Sequence, residues 1–364
     1  MTADLGNILV RPLKTRTVML VVAMTIYVAL SLFLFFTWVN PSLIGQTQQH
    51  IAADSVLYMA YADSLREGLD NPFVLAAMYS FPNTLWMPVL LFLALQSTLL
   101  IVALNYTLFI WSVWLFSRSV DIRVGIFLAL LLVNITTTIS LLSVNKEIVD
   151  LLATALFCYW LSKGRKWALA LALLIALVNR YEVCIAMLLF IVLRSRWNPL
   201  RKSRYGSLAA VSVAFSIALP SLSVTDRLDE AVSATSATGS SGLILVLDNL
   251  QAHYLFFLAV IPKIAHNLFS QILILNNWTS YGSDNPANTY VMLLNNLASS
   301  FVVMFLIKKG RLRLKSEWMY YAGLSAIVMS LALVVQPRYF YSCYALLCLE
   351  AARVCDVNPL NGTM

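Results

Sequence analysis

Apolar runs alternate with short polar or basic connections along most of the chain. The runs fall at about 17–38, 85–117, 124–142, 148–162, 167–179, 182–193, 206–223, 243–262, 264–276, 291–307, 318–335 and 339–352. A helix needs about 20 apolar residues to cross a hydrocarbon core of ~30 Å. The pattern therefore predicts an all-α, polytopic fold with about 12 transmembrane helices in one domain spanning 1–364. Some runs are short, and the interruptions at Asn179–Glu182 and Pro262-Lys263 predict broken or re-entrant helices. The run 85–117 is long enough to project beyond the membrane. The first run follows Arg11, Lys14 and Arg16, exceeds a signal-peptide core and lacks a small-x-small cleavage site, so a retained first span is expected. No internal repeat of the kind that marks many transporters is visible.

Composition agrees with the pattern. Of 364 residues, 60% are hydrophobic and 12% charged, with a mean hydropathy of +0.79. Soluble domains average about 45–50% apolar and about 25% charged. An ordinary soluble enzyme, a disordered chain and a disulfide-stapled module are excluded. The five cysteines are odd in number and include no Cys-x-x-Cys pair, so neither disulfides nor a zinc site is expected.

The net charge of +8 and a pI near 9.3 would raise nucleic acid as a partner of a soluble protein. In a membrane protein the same excess follows from basic cytoplasmic loops. With the N-terminus cytoplasmic, alternation of sides gives the inner face 20 of the 25 basic residues, Lys263 among them, and 5 of the 17 acids, a charge of +15. The outer face keeps 12 acids and five bases, Arg66, Lys146, Arg180, Arg227 and Arg338, a charge of −7. Both termini are then cytoplasmic and no nucleic-acid partner is expected.

A long first outer loop, 39–84, carries amphipathic juxtamembrane stretches and Pro-punctuated aromatic segments. A second, 224–242, is rich in Ser, Thr, Ala and Gly and is expected to be mobile. Within the first loop, Asp54, Tyr58 and Tyr61 share one face at helical spacing, with Asp63 and His50 close by. A carboxylate at the lipid–water boundary can accept a proton from a sugar hydroxyl. The same acids could simply solvate or cap a juxtamembrane helix.

Ionisable groups near hydrocarbon cost about 2.5–3.5 kcal/mol each on insertion scales and tend to mark function. Asn145-Lys146-Glu147 lies between two runs, with Asp150 one turn later, where a helix cap is the plainer account. Asn179-Arg180-Tyr181-Glu182 places two charges inside an apolar stretch, and Gln336-Pro337-Arg338-Tyr339 places an Arg at the outer mouth of the last span. Lys146, Arg180 and Arg338 thus reach the outer face from three distant places and fit an anionic ligand such as phosphate or pyrophosphate. The plainer account is three unrelated loop charges paired with nearby acids. His50, His253 and His266 have no metal-ligand spacing, and no cofactor is implied. Mid-span Asn105, Asn134 and Thr136 to Thr138 fit either a carrier groove or helix–helix hydrogen bonds.

Ala53-Asp54-Ser55-Val56-Leu57-Tyr58, Asn145-Lys146-Glu147, Arg180-Tyr181-Glu182 and Pro337-Arg338-Tyr339 together resemble the GT-C class of membrane glycosyltransferases and the related O-antigen-type polysaccharide polymerases. The resemblance implies a bacterial inner-membrane enzyme acting on its periplasmic face with a polyprenyl-phosphate- or diphosphate-linked sugar donor. The acceptor would be a saccharide or a lipid-linked saccharide. In that class the first-loop Asp is the catalytic base or acceptor-binding acid, which maps to Asp54. Basic residues of later outer loops hold the lipid-linked phosphate, which maps to Lys146, Arg180 and Arg338. Glu147, Glu182, Tyr339, Tyr58, Asp63 and His50 complete the expected substrate-binding set, with no metal. The chain lacks a separate outer domain for a protein acceptor, which favours a small sugar-chain acceptor. Repeat-unit polymerase and single-sugar transferase both fit; a flippase for lipid-linked saccharides and a non-catalytic assembly subunit are the alternatives.

Overall fold

A computed structural model describes residues 22–40, 58, 97–221, 242–273, 286–312, 314, 316–331 and 337–354. Among them the chain is all-helical, with one isolated β-bridge and no strand. The helices are α1 (Val22–Thr37), α2 (Thr98–Ser119), α3 (Val124–Val133), α4 (Ile135–Leu142), α5 (Glu147–Lys163) and α6 (Lys166–Asn179). They continue with α7 (Tyr181–Arg194), α8 (Arg204–Ser221), α9 (Gly242–Ala252), α10 (Phe256–Leu273), α11 (Pro286–Lys308), α12 (Glu317–Met329) and α13 (Tyr341–Ala352). A 3-10 turn, Pro337–Phe340, leads into α13.

The centre is formed by α5, α12 and α13, which are buried almost all round. A helix apolar on every side belongs in such a position. Against α5 pack α2 and α6, and against α13 pack α3, α11 and α12. The inner stripe of α6 is Ala168, Ala172, Ile175, Ala176 and Asn179, and its three alanines let two backbones approach closely. Its other side shows Trp167, Leu174 and Leu177 to the exterior. Large apolar side chains also point outward from α2 (Ile110), α7 (Val192), α8 (Ile217), α10 (Ile261, 73% exposed) and α11 (Met304). The outer surface of the bundle is therefore apolar over most of its helices.

The one described helix long and apolar enough to cross a membrane unaided is α2, at 22 residues. α3 and α4 pass that test only as a pair, bent by 82° at Asn134. The run 124–142 is thus not one straight span. Asn134 accepts from the Thr136 N–H through its side chain and caps α4.

The break expected at Pro262-Lys263 is corrected by the structure: α10 runs unbroken through Pro262. The chain turns instead at His253 to Leu255, and α9, 11 residues and about 16 Å, is too short to cross a bilayer. Lys263 therefore does not lie at the cytoplasmic end of a span. It sits inside α10, 0% exposed, donating to the Gln251 side-chain oxygen.

Mid-helix polar residues bind helices to one another. Thr136 donates to Asn295, the Thr137 and Tyr341 hydroxyls are 2.9 Å apart, and those of Thr138 and Tyr27 are 2.8 Å apart. These contacts join α4 to α11, α13 and α1 and favour helix–helix bonding over a carrier groove.

The charges gather at two ends. One end is tied by Ser162 to the Ser119 carbonyl, Ile122 to Arg353, Ser316 to Glu350, and Glu317 to both Arg194 and Arg204. It is strongly basic, with three carboxylates among the described residues, Asp121, Glu317 and Glu350. The other end lies a full α5 away, 17 residues or about 25 Å.

Candidate functional site

Four stretches of chain meet at that second end: the 143–146 connection, the first turn of α5, the α6–α7 break, and the 3-10 turn. Asn105 of α2 holds the first by donating from Nδ2 to the carbonyls of Ser140, Leu141 and Ser143, at 3.1, 3.4 and 2.9 Å. Glu147 and Asp150 open α5, where carboxylates suit the N-terminal dipole, and their spacing puts both on one face.

Arg180 stands between α6 and α7 in extended conformation and is 6% exposed. Its Nη1 lies 3.2 Å from Asp150 Oδ2, and its Nη2 lies 3.4 Å from Glu147 Oε1. Asn179 donates from Nδ2 to Asp150 Oδ1 at 2.7 Å and to the Lys146 carbonyl at 3.0 Å. Ser140 donates to Glu147 Oε2 at 3.4 Å. The Arg180 guanidinium sits over the Tyr339 ring, 5.0 Å from its centroid, and Arg338 approaches the same ring at 5.6 Å. The Lys146 amine lies 5.6 Å from the centre of the buried Tyr58 ring. Cation–π contact of this kind is worth ~0.5–2 kcal/mol.

Burial, and then the positive charge of Arg180, pull the Lys146 amine down to about 8, against the attraction of Asp150, Glu147 and Glu182. Glu182 acts electrostatically on both cations, while its Oε2 is buried without a hydrogen-bond partner. Three cations and three carboxylates thus share one polar centre. Arg180 is the inner cation, engaged by two acids and a ring; Lys146 and Arg338 are less deeply buried.

The structure therefore brings together Lys146, Glu147, Arg180, Glu182, Arg338, Tyr339 and Tyr58. Asp54, Asp63 and His50 lie outside the described residues, as does nearly all of the 39–84 and 224–242 loops. The expected substrate-binding set leaves out Asp150, which the sequence offers as a helix-cap acid, Asn179, which it offers only as a neighbour of Arg180, and Asn105, which it offers as a groove or helix–helix residue. The i, i+3 pairing of Glu147 with Asp150 was the available signal for the first. Among the described residues no three His, Cys, Asp or Glu side chains form a group that could hold a metal. No family model matches the chain, and neither a curated protein nor a solved structure matches it.

Proposed function

We propose that the chain is a multi-span glycosyltransferase of the bacterial inner membrane, resembling the GT-C class. It uses polyprenyl-phosphate- or diphosphate-linked sugars on the extracytoplasmic face to assemble a cell-envelope polysaccharide. The membrane reading draws on the outward apolar side chains and on two charged ends about 25 Å apart, close to the ~30 Å hydrocarbon core. Several crossings follow from the alternating apolar runs, and the charge asymmetry puts the basic end in the cytoplasm.

The observation that carries the reading is the meeting of Lys146, Arg180 and Arg338, distant in sequence, around Tyr339 and three carboxylates at the less basic end. Lys146 and Arg338 meet the phosphate of the carrier, and Arg180 holds Glu147, Asp150 and Tyr339 in place. Asp54 precedes Tyr58 by four positions, and Tyr58 packs on Lys146. Asp54 takes the proton of the acceptor hydroxyl, whose oxygen attacks the anomeric carbon. The bond from that carbon to the phosphate oxygen breaks, and its electron pair leaves with the phosphate, stabilised by the two cations.

Asp54→Asn should lower transfer by about 10²–10⁴-fold, the usual contribution of a general base, with the fold intact. Full activity in that variant removes Asp54 from the chemistry. Arg338→Ala should weaken binding of the lipid-linked donor and leave acceptor binding unchanged. The flippase alternative draws on Lys263 and Gln251, a polar pair inside the bundle; its mark would be movement of lipid-linked saccharide across proteoliposomes without bond formation.

A further inference from the structure

The basic end holds a feature that the transfer reaction does not use. Between α7 and α8 the chain reads Arg194-Ser-Arg196-Trp197-Asn-Pro-Leu-Arg201-Lys202-Ser-Arg204, five basic residues in eleven positions. The connection is built rather than loose. Asn198 Nδ2 donates to the Leu193 carbonyl at 2.7 Å, its Oδ1 accepts from the Leu200 N–H at 2.9 Å, and Ser207 donates to the Leu200 carbonyl at 3.0 Å.

The two flanking arginines are spent on the fold. Arg194 and Arg204 both pair with Glu317, and Arg204 also donates to the Leu314 carbonyl at 2.7 Å. The middle three differ: Arg196, Arg201 and Lys202 are exposed, and among the described residues no carboxylate pairs with them. Arg196 lies against the face of Trp197, 5.2 Å from the ring centre. Trp197 is 81% exposed and Tyr205 69%, with Leu200 also outward.

An indole ring held out beside three unneutralised cations, on a turn fixed by side-chain hydrogen bonds, is amphipathic in the way a bilayer interface requires. Arginine also supplies paired donors matched to phosphate oxygens. We propose that the 196–202 turn is a binding site for anionic phospholipid headgroups. Arg196, Arg201 and Lys202 grip the phosphates, and Trp197 enters the headgroup layer. This rests on the membrane reading and not on glycosyl transfer.

The test uses the full chain in nanodiscs of phosphatidylcholine with a rising share of phosphatidylglycerol, read by retained lipid in native mass spectrometry and by the thermal midpoint. Phosphatidylglycerol should be retained preferentially and raise the midpoint. Basic residues at an anionic surface contribute about fivefold in affinity each. Arg196→Gln, Arg201→Gln and Lys202→Gln combined should therefore lose about a hundredfold. Trp197→Ser alone, with the cations kept, should reduce retention more modestly. All four side chains are exposed, and folding is checked by the midpoint in phosphatidylcholine alone. Equal retention by the triple variant overturns the proposal. So does an equal effect of soluble glycerol phosphate on the wild type, which would mean anion binding without a lipid surface. Failure to enter nanodiscs at all would instead overturn the membrane reading.

Discussion

Taking the Arg180 guanidinium out of water costs several kcal/mol, which Asp150, Glu147 and the Tyr339 ring offset. Removing one partner leaves a buried charge short of its counterions. Asp150→Ala should destabilise the chain by about 3–5 kcal/mol, seen as a lower thermal midpoint in detergent. Arg180→Lys should fail to restore stability, because a point charge does not span both carboxylates as a guanidinium does. Lys146, drawn down to about 8 from the ordinary 10.5, gives a prediction of opposite kind. Pyrophosphate binding should weaken as pH rises through about 8, and Lys146→Arg should remove that inflection in a titration from pH 7 to 9.5. Between about 8 and 10.5 the unfolded chain still holds a proton that folded Lys146 has released, so this group adds stability as pH rises. The charged residues were legible because a charge inside an apolar run stands out. Asn179 and Asn105 were not, since an amide in such a run has the same appearance whether it caps a helix, bridges two, or faces a ligand.

Helix starts and stops were legible where a residue carries the signal in its own chemistry. Gly164 ends α5 at φ +67, with its N–H donating to the Trp160 carbonyl, and glycine reaches that conformation without steric cost. Asn134, which caps α4 through its side chain, instead interrupts a run that the apolar pattern reads as one span. The turn after α9 has no such mark. Tyr254 adopts φ 63, and the Leu255 N–H donates to the Leu250 carbonyl at 2.9 Å, closing the helix as a glycine normally would. A tyrosine there gives no warning in the sequence, while the nearby Pro262, a stronger breaker by type, is carried inside α10. Left-handed backbone costs a non-glycine residue about 1–2 kcal/mol. Tyr254→Gly should therefore raise the midpoint, because the ring it removes is mostly exposed. A lowered midpoint would mean that the Tyr254 side chain stabilises the turn.

At the scale of the molecule, the charges of the described residues divide between a strongly basic end and a polar centre in which three cations face three carboxylates. Lys263, which alternation of sides counts among the cytoplasmic bases, is instead buried inside α10. An impermeant thiol reagent should label single-cysteine variants Lys166→Cys and Arg353→Cys in inverted membrane vesicles, and Tyr181→Cys from the extracytoplasmic side. The same side for all three would contradict the topology. The most direct test of the glycosyl-transfer account is to incubate the purified chain with polyprenyl-diphosphate-linked saccharides and measure the length of the lipid-linked product. The account predicts new glycosidic bonds, as a ladder for a polymerase or one added sugar for a transferase, lost in Asp54→Asn. Unchanged saccharides across the polyprenyl mono- and diphosphate donors, with protein that is folded and membrane-inserted, would contradict it.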